Sequence, residues 1–306
     1  MDSPSSANLW ERRAFLATTL KAAGGSTLLS IPGFANNGSA LERATAFTVQ
    51  EVIDIILKQI PGGPISPTVD TLKCGKPEQL VSAVVTTMFP TIPVIEGAIQ
   101  QGANFIIAHE PSFYNHTDDL AWVPENAVMQ KKRDLLNKHG LAIWRFHDHW
   151  HRYRPDGINY GVLKELGWLS YLRPDSRIIR IPPLSLKDLA MKFKSSLGIT
   201  HVRIIGNPQQ SCERLALLEG AAGGQVQIGL VEKEHPDVLV VGEVHEWETA
   251  EYIRDSLALG NKTSLIVLGH GVSEEPGMAW LVEWLRPLLP RLQISHIPSG
   301  DPFQWW

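Results

Sequence analysis

The chain is 306 residues long, with 43% hydrophobic residues, 20% charged residues and a formal net charge of −4. That length allows one large or two ordinary domains, and the composition suits a packed core and excludes a largely disordered chain. The mildly acidic balance supplies no general basic field, so nucleic acid is not an expected partner.

Residues 10–35 read WERRAFLATTLKAAGGSTLLSIPGFA. Arg12-Arg13 precede Phe15-Leu16 and a weakly apolar stretch broken by Lys21 and Gly24-Gly25. The segment resembles a twin-arginine signal peptide, although Glu11 and Ala17 depart from the usual Ser/Thr-Arg-Arg-x-Phe-Leu-Lys pattern. Gly33-Phe34-Ala35, or alternatively Gly38-Ser39-Ala40, offers small residues for cleavage. The apolar run is too short and too polar to remain as a membrane span. The resemblance implies export of a folded protein to the periplasm, with residues 1–40 outside the fold. The alternative is an ordinary amphipathic N-terminal helix.

Residues 46–60 place Val49, Val52, Ile53, Ile56, Leu57 and Ile60 at helical spacing, and Pro61-Gly62-Gly63-Pro64 stops them. A strand is expected over 80–88 (LVSAVVTTM), a helix over 92–101 closed by Gly102, and a strand over 103–108 (ANFIIA). A helix over 125–139 ends at Gly140, and a strand (LAIWRF, 141–146) and a helix over 158–166 follow. Pro174 and Pro182-Pro183 mark a boundary. Beyond it, Ser185 caps the helix LKDLAMKFKSSL, which Gly198 ends. Strands are expected over 201–206, 214–220 and 236–243, with the helix GGQVQIGLVEKE between the last two. A helix over 248–260, the strand TSLIVLGH (263–270) and a helix over 278–289 complete the core, and HIPSGDPFQWW reads as a surface or interface tail. This alternation argues for an α/β fold with parallel or mixed sheets covered by helices. Cys74 and Cys212 are too far apart for a zinc ribbon or a C-x-x-C pair. They are expected as buried free thiols, with a disulfide as the alternative if the protein is exported. The ten Trp suit core and interface filling, with a ligand platform as the alternative.

Ligands bind at strand ends in α/β sheets, and several strand ends here carry His. His109-Glu110-Pro111 follows ANFIIA, His147-Asp148-His149-Trp150-His151 follows LAIWRF, and His270 with Glu274 follows TSLIVLG. Imidazole and carboxylate groups suit a divalent transition metal. Adjacent strand residues face opposite ways, so His109 and Glu110 act together only if the chain leaves the strand there. In a straight strand His147 and His151 would lie about 13 Å apart, so the segment must curl or its residues must serve different ions. His270 and Glu274 can meet around one helical turn. His245, Glu246 and Glu248 offer acid–base groups or a plain solvated helix start. Thr249 stands where a zincin helix would need its second His, and no phosphate loop, G-x-G-x-x-G fingerprint or G-x-S-x-G elbow is present.

GANFIIAHEPSF (102–113) is similar to the Gly-Ala-Asp-(apolar)-His-His-Pro segment of the NGG-one-interacting-factor-three proteins. RFHDHWHRYRPDGIN (145–159) resembles their His-x-x-x-Asp segment, and LGHGVSEEPGMAWLVEWL (268–285) their Gly-His-x-x-x-Glu-x-Pro-Gly end. Residues 202–224 and 237–252 match the central region. These are dinuclear-metal proteins often labelled GTP cyclohydrolase I type 2-like. The resemblance implies two α/β lobes with mixed sheets flanked by helices, and a metal site in the inter-lobe cleft. The metal-binding lobe is expected over 41–175 plus 263–306 and the second lobe over 176–262. The resemblance also implies a toroidal homo-hexamer. His109, Glu110, His147, His151, His270 and Glu274 are the implied ligands of two divalent ions, zinc, iron or manganese. Glu274, and His245 and Glu246 from their place after Gly242-Glu243, are the candidate catalytic groups. Glu110 replaces the second His of the family pair, and His151 replaces its Asp. One change adds an anionic ligand and the other removes one, so the summed ligand charge is preserved; alternatively, Asp148 takes the carboxylate role. The implied function is hydrolysis of a small molecule by a metal-activated water, of cyclohydrolase, phosphoesterase or amidohydrolase type. The alternative is a non-catalytic metal-binding or scaffolding hexamer.

Overall fold

A computed structural model describes residues 46–306 except residue 120 and residues 122–125. The signal-like segment of residues 1–40 lies outside the described residues. In chain order the main elements are α1 (Val49–Leu57), β1 (Leu72–Cys74), β2 (Ala83–Thr87), α2 (Ile92–Gln100), β3 (Phe105–Ala108), α3 (Ala127–Lys138), β4 (Ala142–Arg145), α4 (Asp148–Arg152) and α5 (Gly157–Glu165). They continue with β5 (Ile178–Ser185), α6 (Leu186–Leu197), β6 (Arg203–Ile205), β7 (Ser211–Leu218), α7 (Gly224–Glu234) and β8 (Val238–Val241). A π-helical turn (Glu246–Ala250) leads into α8 (Glu251–Ala258), then β9 (Ser264–Val267), α9 (His270–Leu285) and β10 (Gln293–His296). No helix among the described residues is long and apolar enough to cross a membrane.

Local chemistry sets many of these boundaries. The Thr48 hydroxyl accepts from Glu51 N at 3.2 Å while Glu51 Oε2 accepts from Thr48 N at 2.7 Å, a reciprocal cap that starts α1. Ser185 caps α6 and Gly198 ends it in the left-handed region at φ 66°. The runs forming β2, β3, β4, β8 and β9 are buried throughout. Strands covered on both faces read as continuous apolar runs.

The strands form two mixed five-stranded sheets, ordered β1-β4-β3-β2-β10 and β5-β7-β8-β9-β6. In the first, β10, β2, β3 and β4 run parallel and β1 is an antiparallel edge. In the second, β7, β8 and β9 run parallel, and β5 and β6 are antiparallel edges. One apolar core joins the sheets, including Val84, Phe105 and Trp144 from the first and Leu215, Val240 and Ile266 from the second. α9 lies against α5 with backbones in contact: a Cβ on Gly161 would sit 2.5 Å from Gly277 Cα. Trp144 and Trp150 are buried, and Trp150 stacks on Trp280 at 5.1 Å, so these Trp fill core. Cys212 is buried and Cys74 half-buried, and both are free thiols.

Several elements differ from the sequence expectation. The Pro182-Pro183 boundary lies inside β5, where the register slips between Arg180 and Leu184; an edge strand tolerates the missing N–H groups. β1 and β10 are short edge strands without a strong apolar run. β9 belongs to the second sheet, so the chain returns to the first sheet after it, through α9 and β10, rather than at residue 263. α9 begins at His270 instead of 278 and carries Pro276 inside it.

Candidate metal centre

β3 delivers His109 and Glu110. His109 N donates to Thr87 O at 3.1 Å and Glu110 N to Met88 O at 2.9 Å. Successive N–H groups of a regular strand point to opposite sides, so two donating to the same neighbour show that the chain rolls out of the strand here. Arg145, buried at the end of β4, holds the turn: its Nε donates to His109 O at 3.0 Å, its Nη2 lies 3.3 Å from Glu110 Oε2, and its Nη1 donates to His116 O. His109 is fully buried, and its Nδ1 lies 3.1 Å from Phe146 O. A carbonyl can only accept, so Nδ1 carries the proton and Nε2 keeps its lone pair. That Nε2 is buried with no hydrogen-bond partner. Burial, with His147 and His151 close by, holds the imidazole well below its ordinary pKa and therefore neutral.

The segment after β4 curls as the ligand distances demand. His151 N donates to His147 O at 3.0 Å across α4, and the two ring centroids are 4.8 Å apart. Asp70 anchors this turn. Its Oδ1 accepts from His147 N and Asp148 N at 2.8 and 3.0 Å, and its Oδ2 from His149 N at 2.9 Å. The same Oδ2 lies 2.6 Å from His149 Nδ1, while His149 Nε2 accepts from Ile65 N at 3.1 Å. Both His149 nitrogens are thus used in holding the turn. Asp148 is not placed as a ligand: its Oδ1 lies 2.9 Å from His147 Nδ1, and its Oδ2 accepts from Thr68 Oγ1 and Val69 N. Burial would raise this carboxyl, but the bonds from His147, Thr68 and Val69 hold it down at about 2. His151 Nδ1 lies 3.1 Å from Asp156 Oδ2.

The start of α9 supplies the other side. Gly269, at φ 107°, turns the chain from β9 into the helix. His270 Nε2 then lies 3.3 Å from Glu110 Oε1 and 3.2 Å from Glu274 Oε2, and its Nδ1 lies 3.4 Å from Glu243 Oε2. Burial would lower this imidazole, yet Glu110, Glu243 and Glu274 together push it up to about 12. Burial likewise opposes ionisation of Glu110, but His270, His147 and Arg145 hold its carboxyl below the ordinary value. Glu274 Oε2 is near His270 but off the hydrogen-bond direction, and is left without such a bond. Gly220, at φ 70°, lets the backbone pass beneath Glu274; a Cβ there would sit 2.3 Å from Glu274 Oε1.

Two sets of donor atoms share His109: His109, His147 and His151, and His109, Glu110 and Glu274, the atoms of each set lying within 4.8 Å of one another. These five residues converge, and His270, the sixth expected ligand, lies against Glu110 and Glu274. Buried carboxylates and half-buried imidazoles around the unpartnered lone pair of buried His109 fit a divalent transition metal. Beside His151 a cavity of about 250 Å³ opens, lined by Arg154, Asp156, Asn159, Asp175 and Arg177.

His245 and Glu246 do not join this cluster. His245 is exposed and pairs with Glu248 at 3.1 Å, and Glu246 is exposed and pairs with Arg203 at 2.8 Å. β8 ends earlier, and the acid its end contributes is Glu243. The strand-end rule that singled out the His residues also covers Glu243. No local pattern marks Asp70, because its partners are more than seventy residues away.

A family model described as Duf34/NIF3 (NGG1p interacting factor 3) matches residues 48–302. A protein of Clostridium perfringens called GTP cyclohydrolase 1 type 2 homolog is 21% identical over 248 residues, covering 76% of this chain and 90% of that protein. One of the same name from Neisseria meningitidis is 24% identical over 230 residues, covering 73% and 86%. Among solved structures, Staphylococcus aureus protein SA1388 matches with a TM-score of 0.68 at 18% identity, over 85% of this chain and 99% of that one. Reduced HcgD from Methanocaldococcus jannaschii matches with a TM-score of 0.63 at 17% identity, over 82% and 98%. With two mixed five-stranded sheets flanked by helices in common with these structures, and a family match spanning nearly all of its described residues, the chain belongs to the Duf34/NIF3 (NGG1p interacting factor 3) family.

Proposed function

We propose that this cluster holds two divalent transition-metal ions and that the protein is a metal-dependent hydrolase of a small polar molecule. The observation that carries the reading is the His109 imidazole: buried, neutral, with Nδ1 committed to Phe146 O and Nε2 unpartnered among carboxylates and imidazoles. An unsatisfied buried acceptor costs about 1–3 kcal/mol, and a bound cation removes that cost. His109, His147 and His151, with Glu110, His270 and Glu274, would hold the ions. Ions bound there would supply Lewis acidity and a water of lowered pKa.

The chain's own groups do the rest. Phe146 O, Asp148, Asp156 and Glu243 hold the outward nitrogens of the imidazoles. Glu243 is half-exposed, and its Oε2, 3.4 Å from His270 Nδ1, favours the proton on that nitrogen and leaves Nε2 to face an ion. The polar cavity beside His151 gives a small hydrogen-bonding substrate a place next to the ligands. The name borne by the C. perfringens and N. meningitidis relatives supports a hydrolytic reaction class. Delivery to the periplasm by the twin-arginine-like segment would place the protein where nucleoside triphosphates are scarce, which favours a substrate other than GTP. A homo-hexamer, implied by the family resemblance, would give a light-scattering mass six times that of the chain.

Metal analysis of the purified protein and of His109→Ala and His270→Ala tests the site. Loss of metal in both variants supports it; undiminished metal in both, or none in the parent, overturns it. Turnover of phosphodiesters, cyclic amides or GTP by the metal-loaded protein supports the hydrolase. Stable metal without turnover of any of them favours a binding or scaffolding protein.

A further inference from the structure

His151 is held from behind by a chain of charges that reaches into the second sheet. Its Nδ1 lies 3.1 Å from Asp156 Oδ2, and the same oxygen accepts from Arg177 Nη2 at 2.8 Å. Asp156 Oδ1 accepts from Ile158 N and Asn159 N at 2.9 and 3.2 Å, which caps α5. Arg177 Nη1 in turn donates to Glu219 Oε2 at 3.2 Å, and Glu219 Oε1 accepts from Asn159 Nδ2 at 2.7 Å. Arg177 directly precedes β5 and Glu219 directly follows β7. Asp156 and Glu219 are buried.

We propose that Asp156, anchored through Arg177 on Glu219, is the positioning residue that makes His151 a metal ligand. The inference rests on the metal-centre reading above. With Nδ1 donating to Asp156, the His151 lone pair is on Nε2, which lies 4.0 Å from Glu274 Oε1, and the ring lies 5.0 Å from that of His109. His147 is held by its sequence neighbour and His109 by a backbone carbonyl, so neither depends on the second sheet. His151 does. A carboxylate behind a ligating imidazole fixes its tautomer and raises its basicity, and losing such a partner commonly costs 10–100-fold in metal affinity. Arg177 contributes by holding Asp156 Oδ2 in place, donating to it at 2.8 Å. Its second salt bridge, to Glu219, keeps the guanidinium from turning away into the adjoining cavity.

Asp156→Asn in the full-length chain tests this. Asn keeps an oxygen for the α5 cap but replaces Oδ2 by an amide N–H, a donor facing two donors. Two readouts apply: 15N chemical shifts of the His151 ring in metal-free protein, and Zn²⁺ titration by calorimetry. At a pH alkaline enough for a neutral ring, wild-type His151 is expected as the Nδ1–H tautomer, and the wild type is expected to bind two Zn²⁺ per chain. The variant is expected to show mixed tautomers and to bind one of the two ions 10–100-fold more weakly, leaving the other unchanged. Arg177→Gln is expected to weaken the same ion by a smaller factor. A folded Asp156→Asn protein with unchanged tautomer and unchanged affinities overturns the proposal. Should that variant not fold, unchanged tautomer and affinities in Arg177→Gln overturn it instead. A wild type that binds no Zn²⁺ refutes the metal-centre reading, whereas the ring shifts still decide whether Asp156 sets the tautomer.

Discussion

His109→Leu separates a metal ligand from a merely buried histidine. Leu approximates the imidazole in volume, so the variant avoids the about 2–5 kcal/mol of a large-to-small cavity. In metal-free protein two effects oppose each other. The variant strands Phe146 O, which now pairs with Nδ1 at 3.1 Å, and it removes the orphaned Nε2. Each unsatisfied buried group costs about 1–3 kcal/mol, so the metal-free variant should lie within about 2 kcal/mol of the wild type. Metal changes the comparison. A ligand at 100 times its Kd stabilises the folded state by about 2.7 kcal/mol. For a domain approaching this size, 1 kcal/mol moves Tm by about 2–4 °C. The wild type should therefore gain roughly 5–11 °C on adding Zn²⁺ or Mn²⁺ to chelator-treated protein, and the variant much less. Thermal melts with and without metal, paired with metal quantification after dialysis, read both terms. A variant that keeps the full metal-induced rise and full metal content refutes the assignment of His109 Nε2 as the shared ligand.

Gly220→Ala should displace Glu274, because its Cβ would sit 2.3 Å from Glu274 Oε1 at a φ of 70°. We expect lost metal affinity and about 1–3 kcal/mol of lost stability, and an unchanged metal titration would contradict this. His270 must give up a proton to ligate, since burial is outweighed there by Glu110, Glu243 and Glu274, which push it up to about 12. Zn²⁺ affinity should thus rise about tenfold per pH unit for each proton released. Calorimetry in buffers of different ionisation enthalpy checks it, and a flat affinity between pH 6 and 8 argues against it. Lys132 is buried beneath the loop after Glu110, with Nζ donating to Ser112 O at 2.6 Å, and burial lowers it from 10.5 to about 8. A base depressed by folding adds stability above its unfolded pKa and loses it as pH falls through its folded one. Denaturant unfolding should therefore show stability rising between pH 8 and 10.5, by roughly 3 kcal/mol at most from this group. Lys132→Met should flatten that rise, and an undiminished rise in the variant would refute the assignment.

The buried strands were legible because a run such as FIIA is apolar on both faces, and the capped helices because Thr48, Ser185 and Gly198 act on their immediate neighbours. The edges were not legible. β1 and β10 are short, and β5 holds two prolines that an interior strand would reject. The partner of β9 was equally hidden, since periodicity marks a strand but not the sheet it joins. Within the site, strand-end His and Glu residues could be named from their chemistry and position. His245 and Glu246 have suitable acid–base chemistry, yet they lie past the end of β8 with exposed partners of their own, and Glu243 is the acid that reaches His270.

The sequence by itself determined which side chains could ligate and where the chain would break its strands, because residue chemistry, capping and backbone freedom act over a few residues. Only the tertiary structure decided that His109, His147 and His151 lie together with Glu110 and Glu274, and that His270 lies against those two carboxylates. The core shared by the two sheets brings the ends of β3 and β4 beside the start of α9. It also decided which nitrogen of each imidazole stays free, since that depends on the acceptor behind it: Phe146 O, Asp148, Asp156 or Glu243. Asp70 holding His149 from 79 positions away, and Arg177 bridging to Glu219 across 42, are set by how the sheets pack, which no local pattern encodes.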